Sequence, residues 1–322
     1  TREPITIPDL IVGEVRRELT DREVLDPDFV IIRSDGRPVF HLVNVIDDME
    51  MGITHVIRGE DHLSNTAKHI ALFRAFGAAP PKYAHIPIIL NPDGTNMSKR
   101  DTGASLTAYG DEGYVPEAVV NYLCLLGWSP KQNRELLPIG EVVQLFDLPQ
   151  VLRGNARFDA AKLQWINGEY IRTLSFDQFC DLATGALQRS GVSMDRFGDE
   201  YVRAALETCR GKIKQFSELA GYAGFYFVNE VAFDVEAAKK NLLPEERPRL
   251  ARLREAFSVV EPFIAAALEA ALKELAKSCG VKAGVLVHPC RFACTGNASG
   301  PSLYHLLEVL GRERVVQRMD RA

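Results

Sequence analysis

The pattern of apolar and polar positions changes class along the chain. In the first half, Phe29–Ile32 and Phe40–Val45 are short runs rich in β-branched and aromatic residues, and they flank Ser34-Asp35-Gly36-Arg37-Pro38, a turn composition. That layout predicts a hairpin or a pair of strands. Thr54–Ile57 is a further β-favouring run, followed by Ser64–Phe76 with Ala67, Ile70, Ala71 and Phe73 at helical spacing, so a strand-then-helix unit is expected. Tyr83–Leu90 is another apolar run, closed by the turn signal Asn91-Pro92-Asp93-Gly94. From Val115 the pattern is helical, with Pro116 at the start, Val119, Tyr122, Leu123 and Leu126 on one face, and Gly127 as the stop. Beyond Ser175 apolar residues recur every three or four positions. Ile264, Ala267, Leu268, Ala271, Leu272 and Leu275 form one stripe, and Leu303, Leu306, Leu307 and Leu310 another, as the core faces of packed helices require.

Composition narrows the class without naming a function. The chain has 322 residues, 46% hydrophobic and 25% charged, which fits a globular protein of about two domains. No apolar run approaches the ~18 residues of a membrane helix, nothing at the amino end resembles a signal peptide, and a cytoplasmic protein is expected. The first residue is Thr1 rather than Met, which suggests either a processed sequence or a piece of something longer. The net charge of −5 argues against a uniformly positive surface but leaves room for local basic clusters. Cys124, Cys180, Cys209, Cys279, Cys290 and Cys294 lack the paired spacing of a zinc site; reduced, packed thiols and no metal are expected.

Two segments carry candidate chemistry. Thr95-Asn96-Met97-Ser98-Lys99-Arg100 is a polar, basic loop directly after a strand-like run, where α/β sheets bind ligands. A lysine on such a loop can act as a point charge on a polyphosphate, although a plain surface loop has the same composition. Ile57-Arg58-Gly59-Glu60-Asp61-His62 sits where a strand passes into a helix. There Arg58 suits a small carboxylate, Gly59 a close backbone approach and Asp61 a ribose hydroxyl; Asp61 and Ser64 suit helix caps equally well. Asp47 and Asp48, at the end of the preceding predicted strand, suit caps, acid/base groups or metal ligands, and spacing does not choose among these.

Taken together, Phe40-His41-Leu42-Val43-Asn44-Val45-Ile46-Asp47-Asp48, Thr54–His62 and Met97-Ser98-Lys99-Arg100 resemble the second half of the catalytic domain of bacterial-type glutamyl-tRNA synthetases, class I enzymes. Gly113-Tyr114-Val115-Pro116-Glu117-Ala118, Asn121-Tyr122-Leu123, Leu126-Gly127-Trp128, His288-Pro289-Cys290-Arg291 and Thr295-Gly296 extend the likeness over nearly the whole chain. The resemblance implies an α/β region followed by an all-α one. Residues 1–95 would be the second half of a Rossmann-type catalytic domain (1–26 the end of its acceptor-binding insertion), 96–175 the signature loop and a stem-contact region, and 176–322 helical anticodon-binding bundles divided near 236. It implies glutamate activation with ATP and its Mg²⁺, then transfer to tRNA. By position, Phe40, Asn44 and Arg58 would hold glutamate, and Asp61, Ile89 and Lys99 would contact ATP. Asn96, Met97, Ser98, Lys99 and Arg100 would form the signature loop, with Ser98, Lys99 and Arg100 its catalytic members.

Three departures from the family matter. Phe40 stands where the family usually has tyrosine, and loss of a substrate hydrogen bond costs on the order of 1 to 3 kcal/mol. Asn96 replaces the first lysine of the signature loop, and losing one preorganised donor lowers a rate by ~100-fold or more. The His-Ile-Gly-His-type motif that opens the family's catalytic domain does not occur in the sequence. The chain therefore reads as roughly the rear two thirds of a larger enzyme, either part of a ligase or a tRNA-binding module without activity of its own. Half a nucleotide fold would leave the strands at Phe40 and Thr54 on an exposed edge, open to self-association.

For RNA, Lys239, Lys240, Arg247, Arg249, Arg252 and Arg254 face only Glu245 and Glu246, a local net of +4. Arg153, Arg157 and Lys162, with Trp165, could follow backbone phosphates, and Arg291 and Asn297 could meet single-stranded bases. A solvated helix face explains the basic run equally well.

Overall fold

The computed structural model describes residues 4–17, 28–98, 101, 103–130, 134–233, 238–239, 242–243 and 246–322. It divides into two compact units, one of residues 1–106 with 116–163 and one of 107–115 with 164–322.

In the first unit, strands β1 (Ile5–Asp9) and β2 (Gly13–Arg17) form an antiparallel hairpin. Helix α1 (Phe40–Glu50), strand β3 (His55–Gly59), helix α2 (Leu63–Ala75) and strand β4 (Lys82–Ile86) follow. The sheet order is β2-β1-β4-β3, with β3 and β1 both parallel to β4. The strand–helix unit expected at Thr54–Phe76 is thus present, and α2 carries the crossover. Ala67 and Ile70 of α2 pack on Ile5, Ile7 and Tyr83, one inward face of the sheet. Among the described residues β3 is the outer strand on its side, as expected for the run at Thr54.

Phe40–Val45 is not a strand but the first turns of α1. The turn before it is as read: Arg33 N–H donates to Arg37 O, Val39 N–H donates to Ile31 O, and Ile32 makes an isolated bridge with Pro38. The second arm then coils because Leu42, Val45 and Met49 recur at spacings of three and four. Leu42 and Val45 are buried, and Val45 packs with Leu72 and Phe73 of α2. This packing stripe outweighs the local β-propensity of the run. Asp47 and Asp48 consequently lie within α1.

Strand β5 (Ile89–Leu90) pairs in parallel with β6 (Ala156–Arg157). Helix α3 (Leu106–Asp111) leads to α4 (Pro116–Leu125), which starts and stops where the sequence indicates, and α5 (Ile139–Leu145) follows. Asn121 of α4 donates to Glu135 O and accepts from Leu137 N–H, while the Tyr122 hydroxyl accepts from Asp159 N–H at 2.6 Å. These family-like residues therefore tie loops to the helix.

The second unit is helical. It contains most of α6 (Ala160–Thr173), then α7 (Phe176–Arg189), opened by a Ser175/Gln178 capping box, α8 (Asp199–Glu207) and α9 (Leu219–Ala223). Helices Arg247–Ser258, Ala265–Ser278, Gly284–Thr295, Leu303–Leu310 and Arg312–Arg321 complete it among the described residues. Leu268 and Leu272 of one predicted stripe and all four leucines of the other are buried. Gly113 has φ +80°, and a Cβ there would lie 2.6 Å from Ser217 N, so only glycine fits. Arg318 is 2% exposed and donates to the carbonyls of Cys294, Phe225 and Val228, a charge that stitches three chain segments together. All six cysteines are free thiols, with Cys180, Cys209, Cys290 and Cys294 buried.

Candidate active site

The carboxyl end of β3 and the start of α2 build one side of the site. Arg58, half-buried and next to last in β3, donates from Nε to His85 Nε2 at 3.3 Å and from Nη2 to Thr66 Oγ1 at 2.8 Å and His62 O at 3.2 Å. Its guanidinium carbon lies 5.8 Å from the centre of the Tyr83 ring. No carboxylate of a described residue pairs with it, and its Nη1 has no hydrogen-bond partner among them. Burial pushes its pKa down, opposed by Tyr83, Asp48 and Asp61, but a guanidinium keeps its proton. The result is a partly desolvated cation that makes no ion pair with a described carboxylate, with Asp48 and Asp61 acting on it only at longer range.

Helix α1 supplies the other side. Phe40 lies at its first turn, 54% exposed, with its ring 5.5 Å from His41, 6.3 Å from His62 and 5.7 Å from His69. Asn44 follows one turn later and Asp48 one turn after that. A spacing of four keeps Phe40 and Asn44 on one face in a strand and in a helix alike, so their pairing survives the change of element. Burial raises the Asp48 carboxyl, against the pull of Arg58. His41 Nδ1 and His69 Nε2 are 3.2 Å apart, and burial, with Arg58 next, lowers His69 to about 3. His69, and His41, which burial also lowers, are therefore neutral at physiological pH.

Asp61 follows in the short helical turn Glu60–His62. It caps neither this turn nor α2, whose N-terminal residues receive no side-chain cap. Its carboxylate folds back over Gly59: a Cβ on Gly59 would lie 2.4 Å from Asp61 Oδ1. Gly59 thus makes room for Asp61 rather than for the backbone alone. Ser64, in the first turn of α2, likewise gives no cap.

The signature loop leaves β5. Asn96 bridges back to Leu90, and Met97 N–H donates to Ile89 O at 3.1 Å. Asp101 then closes the loop, accepting from Ser98 N–H at 2.7 Å and from Asn91 Nδ2 at 3.0 Å; these bonds hold its carboxyl below the usual range. Ser98 is exposed at the tip and Ile89 half-buried at the base. Lys99 and Arg100 lie outside the described residues. Arg157, on β6, lies beside the Gly94 turn of this loop, 3.5 Å from where a Gly94 Cβ would sit.

Sequence reading missed Asp9, Thr66, His69, His85 and Asp101. A signal existed for two of them. On β1 the inward positions run Ile5, Ile7, Asp9, and on β4 Tyr83 and His85, so a carboxylate and an imidazole occupy positions that the alternation reserves for apolar side chains. Of the predicted RNA contacts, Arg254 is paired with Asp320 at 2.8 Å, Lys162 with Glu135 at 2.8 Å, Arg291 donates to Pro301 O and Asn297 to Gly221 O. Arg291 and Asn297 thus each give a hydrogen bond to the fold. Arg252 keeps neutral partners, Cys279 and Ser278, while Lys240 and Glu245 lie outside the described residues.

A family model described as class I tRNA synthetases (E and Q), catalytic domain, matches residues 1–165, and one for an anticodon binding domain matches residues 178–322. The glutamate–tRNA ligase of Methylacidiphilum infernorum (isolate V4) is 47% identical over 99% of this chain and 71% of its own length. That of Moorella thermoacetica is 39% identical over 98% of this chain and 64% of its own length. The crystal structure of a glutamate tRNA ligase from Elizabethkingia meningosepticum CCUG26117, in complex with its amino acid, superposes with a TM-score of 0.83 at 31% identity, over 99% of this chain and 66% of that one. The chain therefore spans about two thirds of the length of such relatives. An arginine at a parallel strand end, a Met-Ser-Lys-Arg loop and a helical rear half agree with these likenesses throughout, and the chain belongs to the glutamate–tRNA ligases, class I synthetases, with part of their catalytic domain followed by their anticodon-binding domain.

Proposed function

We propose that these 322 residues form the glutamate-holding and tRNA-reading part of a cytoplasmic ligase that activates glutamate with ATP and transfers it to tRNA. The observation that carries this reading is Arg58, a half-buried guanidinium with neutral hydrogen-bond partners and no paired carboxylate among the described residues. A carboxylate side chain entering there meets a charge-assisted donor, with Phe40 and Asn44 walling the pocket. ATP would lie across the carboxyl ends of the strands, its ribose toward Asp61, its base toward Ile89 and its phosphates toward Ser98, Lys99 and Arg100. The freedom of Asp61 from any capping bond fits that role. Mg²⁺ would come with the nucleotide. In this reading 1–95 hold glutamate and nucleotide, 96–175 carry the loop and meet the stem, and 176–322 meet the anticodon.

The bare tRNA-binding module remains the second reading, and the open charge at Arg58 disfavours it, because a module has no use for a carboxylate receptor. Since the sequence holds no His-Ile-Gly-His-type motif and has Asn96 in the loop, the 322 residues by themselves are expected to give no glutamate-dependent ATP–pyrophosphate exchange, with or without tRNA. Exchange above background from this polypeptide would overturn that division of labour.

We also propose weak self-association through β3, whose Ile57 is 55% exposed on the outer strand. Light scattering is expected to give a mass that rises above 35.8 kDa with concentration. A constant monomer mass together with strong amide protection of β3 would refute it.

A further inference from the structure

Behind Arg58 lies a buried polar pair that the substrate cannot reach. Asp9 and His85 have fully buried side chains, and His85 Nδ1 is 2.6 Å from Asp9 Oδ2. The Asp9 carboxylate also accepts the backbone N–H groups of Ile11 at 2.9 Å, Val12 at 2.8 Å and His85 at 3.1 Å. Burial would raise its pKa, but the bonds from Val12, His85 and Ile11 outweigh this and hold it low, so it is ionised. On the far side of the ring, Nε2 faces the Nε–H of Arg58 and, at 3.0 Å, the Thr66 hydroxyl. An arginine nitrogen only donates, so His85 Nε2 must accept, and the ring must be neutral with its proton on Nδ1 toward Asp9.

We propose that Asp9 and His85 are positioning residues that make Arg58 a one-sided carboxylate receptor, gripping its inner edge through a neutral acceptor and leaving it without a paired carboxylate among the described residues. A carboxylate in direct contact with Arg58 would hold the guanidinium equally well, but it would neutralise it and compete with the substrate. Placing the negative charge one ring further back separates the two jobs: Asp9 fixes the tautomer, and the tautomer fixes the arginine. Thr66 completes the grip, accepting from Nη2. The inference rests on the reading of Arg58 as the group that holds the glutamate carboxylate.

The test uses the full chain with two readouts: histidine ¹⁵N spectra, which report the tautomer of His85, and calorimetric affinity for glutamate. The parent is expected to show the Nδ1–H form. In Asp9→Asn the new amide can donate where the carboxylate accepted, so the proton is expected to move to Nε2, where it confronts Arg58 Nε–H. Glutamate affinity is then expected to fall by about 10-fold or more, the size of effect typical of groups that orient a binding residue. If Asp9→Asn does not fold, a second pair carries the test. His85→Gln, whose carbonyl can accept from Arg58, is expected to stay within about threefold of the parent, and His85→Met to lose affinity like Asp9→Asn. Unchanged tautomer and affinity in Asp9→Asn, or equal affinity in His85→Gln and His85→Met, would overturn the inference. Arg58→Gln separates the two layers. If it abolishes binding while the Asp9 and His85 variants bind normally, the receptor reading stands and the positioning role fails. If Arg58→Gln binds as the parent does, the receptor reading fails and the inference with it.

Discussion

Replacing Arg58 with glutamine is expected to weaken glutamate binding by roughly 30-fold or more, with the fold intact. Truncating one partner of a desolvated, hydrogen-bonded charge pair costs about 2 to 5 kcal/mol, and each 1.4 kcal/mol is tenfold in affinity. The size follows from the surroundings. His69 beside the pocket is neutral, held at about 3 by burial and then by Arg58, and burial raises the Asp48 carboxyl of α1. Nothing else among the described side chains takes over the charge. Glutamine should still accept or donate toward Thr66 and His85, so folding is expected to survive, as far-ultraviolet circular dichroism and the melting temperature will show. Arg58→Lys keeps the charge but not the planar fork, and should recover only part of the loss. Affinity for glutamate within threefold of the parent would show that Arg58 is a structural arginine.

How much of this was legible in the sequence depends on what each residue needs around it. The βα unit at β3 and α2, the Asn91–Gly94 turn, the α4 boundaries and the rear helices were readable, because local composition and packing pattern agree there. At Phe40–Val45 they conflict. β-branched residues favour a strand, yet Leu42, Val45 and Met49 are spaced to cover α2, and the tertiary contact decides. The place of Arg58 at a strand end was readable. Its supports were not, since Asp9 and His85 stand 76 positions apart and meet only because β1 lies beside β4. The basic run at 239–254 is another case where distant contacts matter. A local charge count includes Arg254, whereas Asp320, far along the chain, takes it bidentately at 2.8 and 2.9 Å.

That neutralisation shapes the expectation for RNA. With a net charge of −5 the chain has no general attraction for a polyanion, so binding must come from local cations not already matched by carboxylates. Arg254, Arg321 and Lys162 are matched, by Asp320, Glu230 and Glu135. Arg247, Arg249 and Arg252 on helix Arg247–Ser258 and Arg153 and Arg157 on the first unit have no carboxylate partner among the described residues. If such residues contact about six phosphates, affinity should fall by roughly a thousandfold between about 50 and 200 mM salt. Charge-reversing Arg247 and Arg249 together should weaken binding across tRNA sequences and lower the salt slope, whereas Arg254→Gln should change the slope little.

Fluorescence anisotropy of labelled glutamate-specific tRNA, titrated with the 322-residue chain at a series of salt concentrations, tests most directly whether this polypeptide is the tRNA-reading part of a glutamate–tRNA ligase. The account predicts saturable binding at low salt, tighter for that tRNA than for one of unrelated anticodon, with the logarithm of affinity falling linearly in the logarithm of salt. No saturable binding at about 50 mM salt, or binding indifferent to both salt and anticodon, would contradict it.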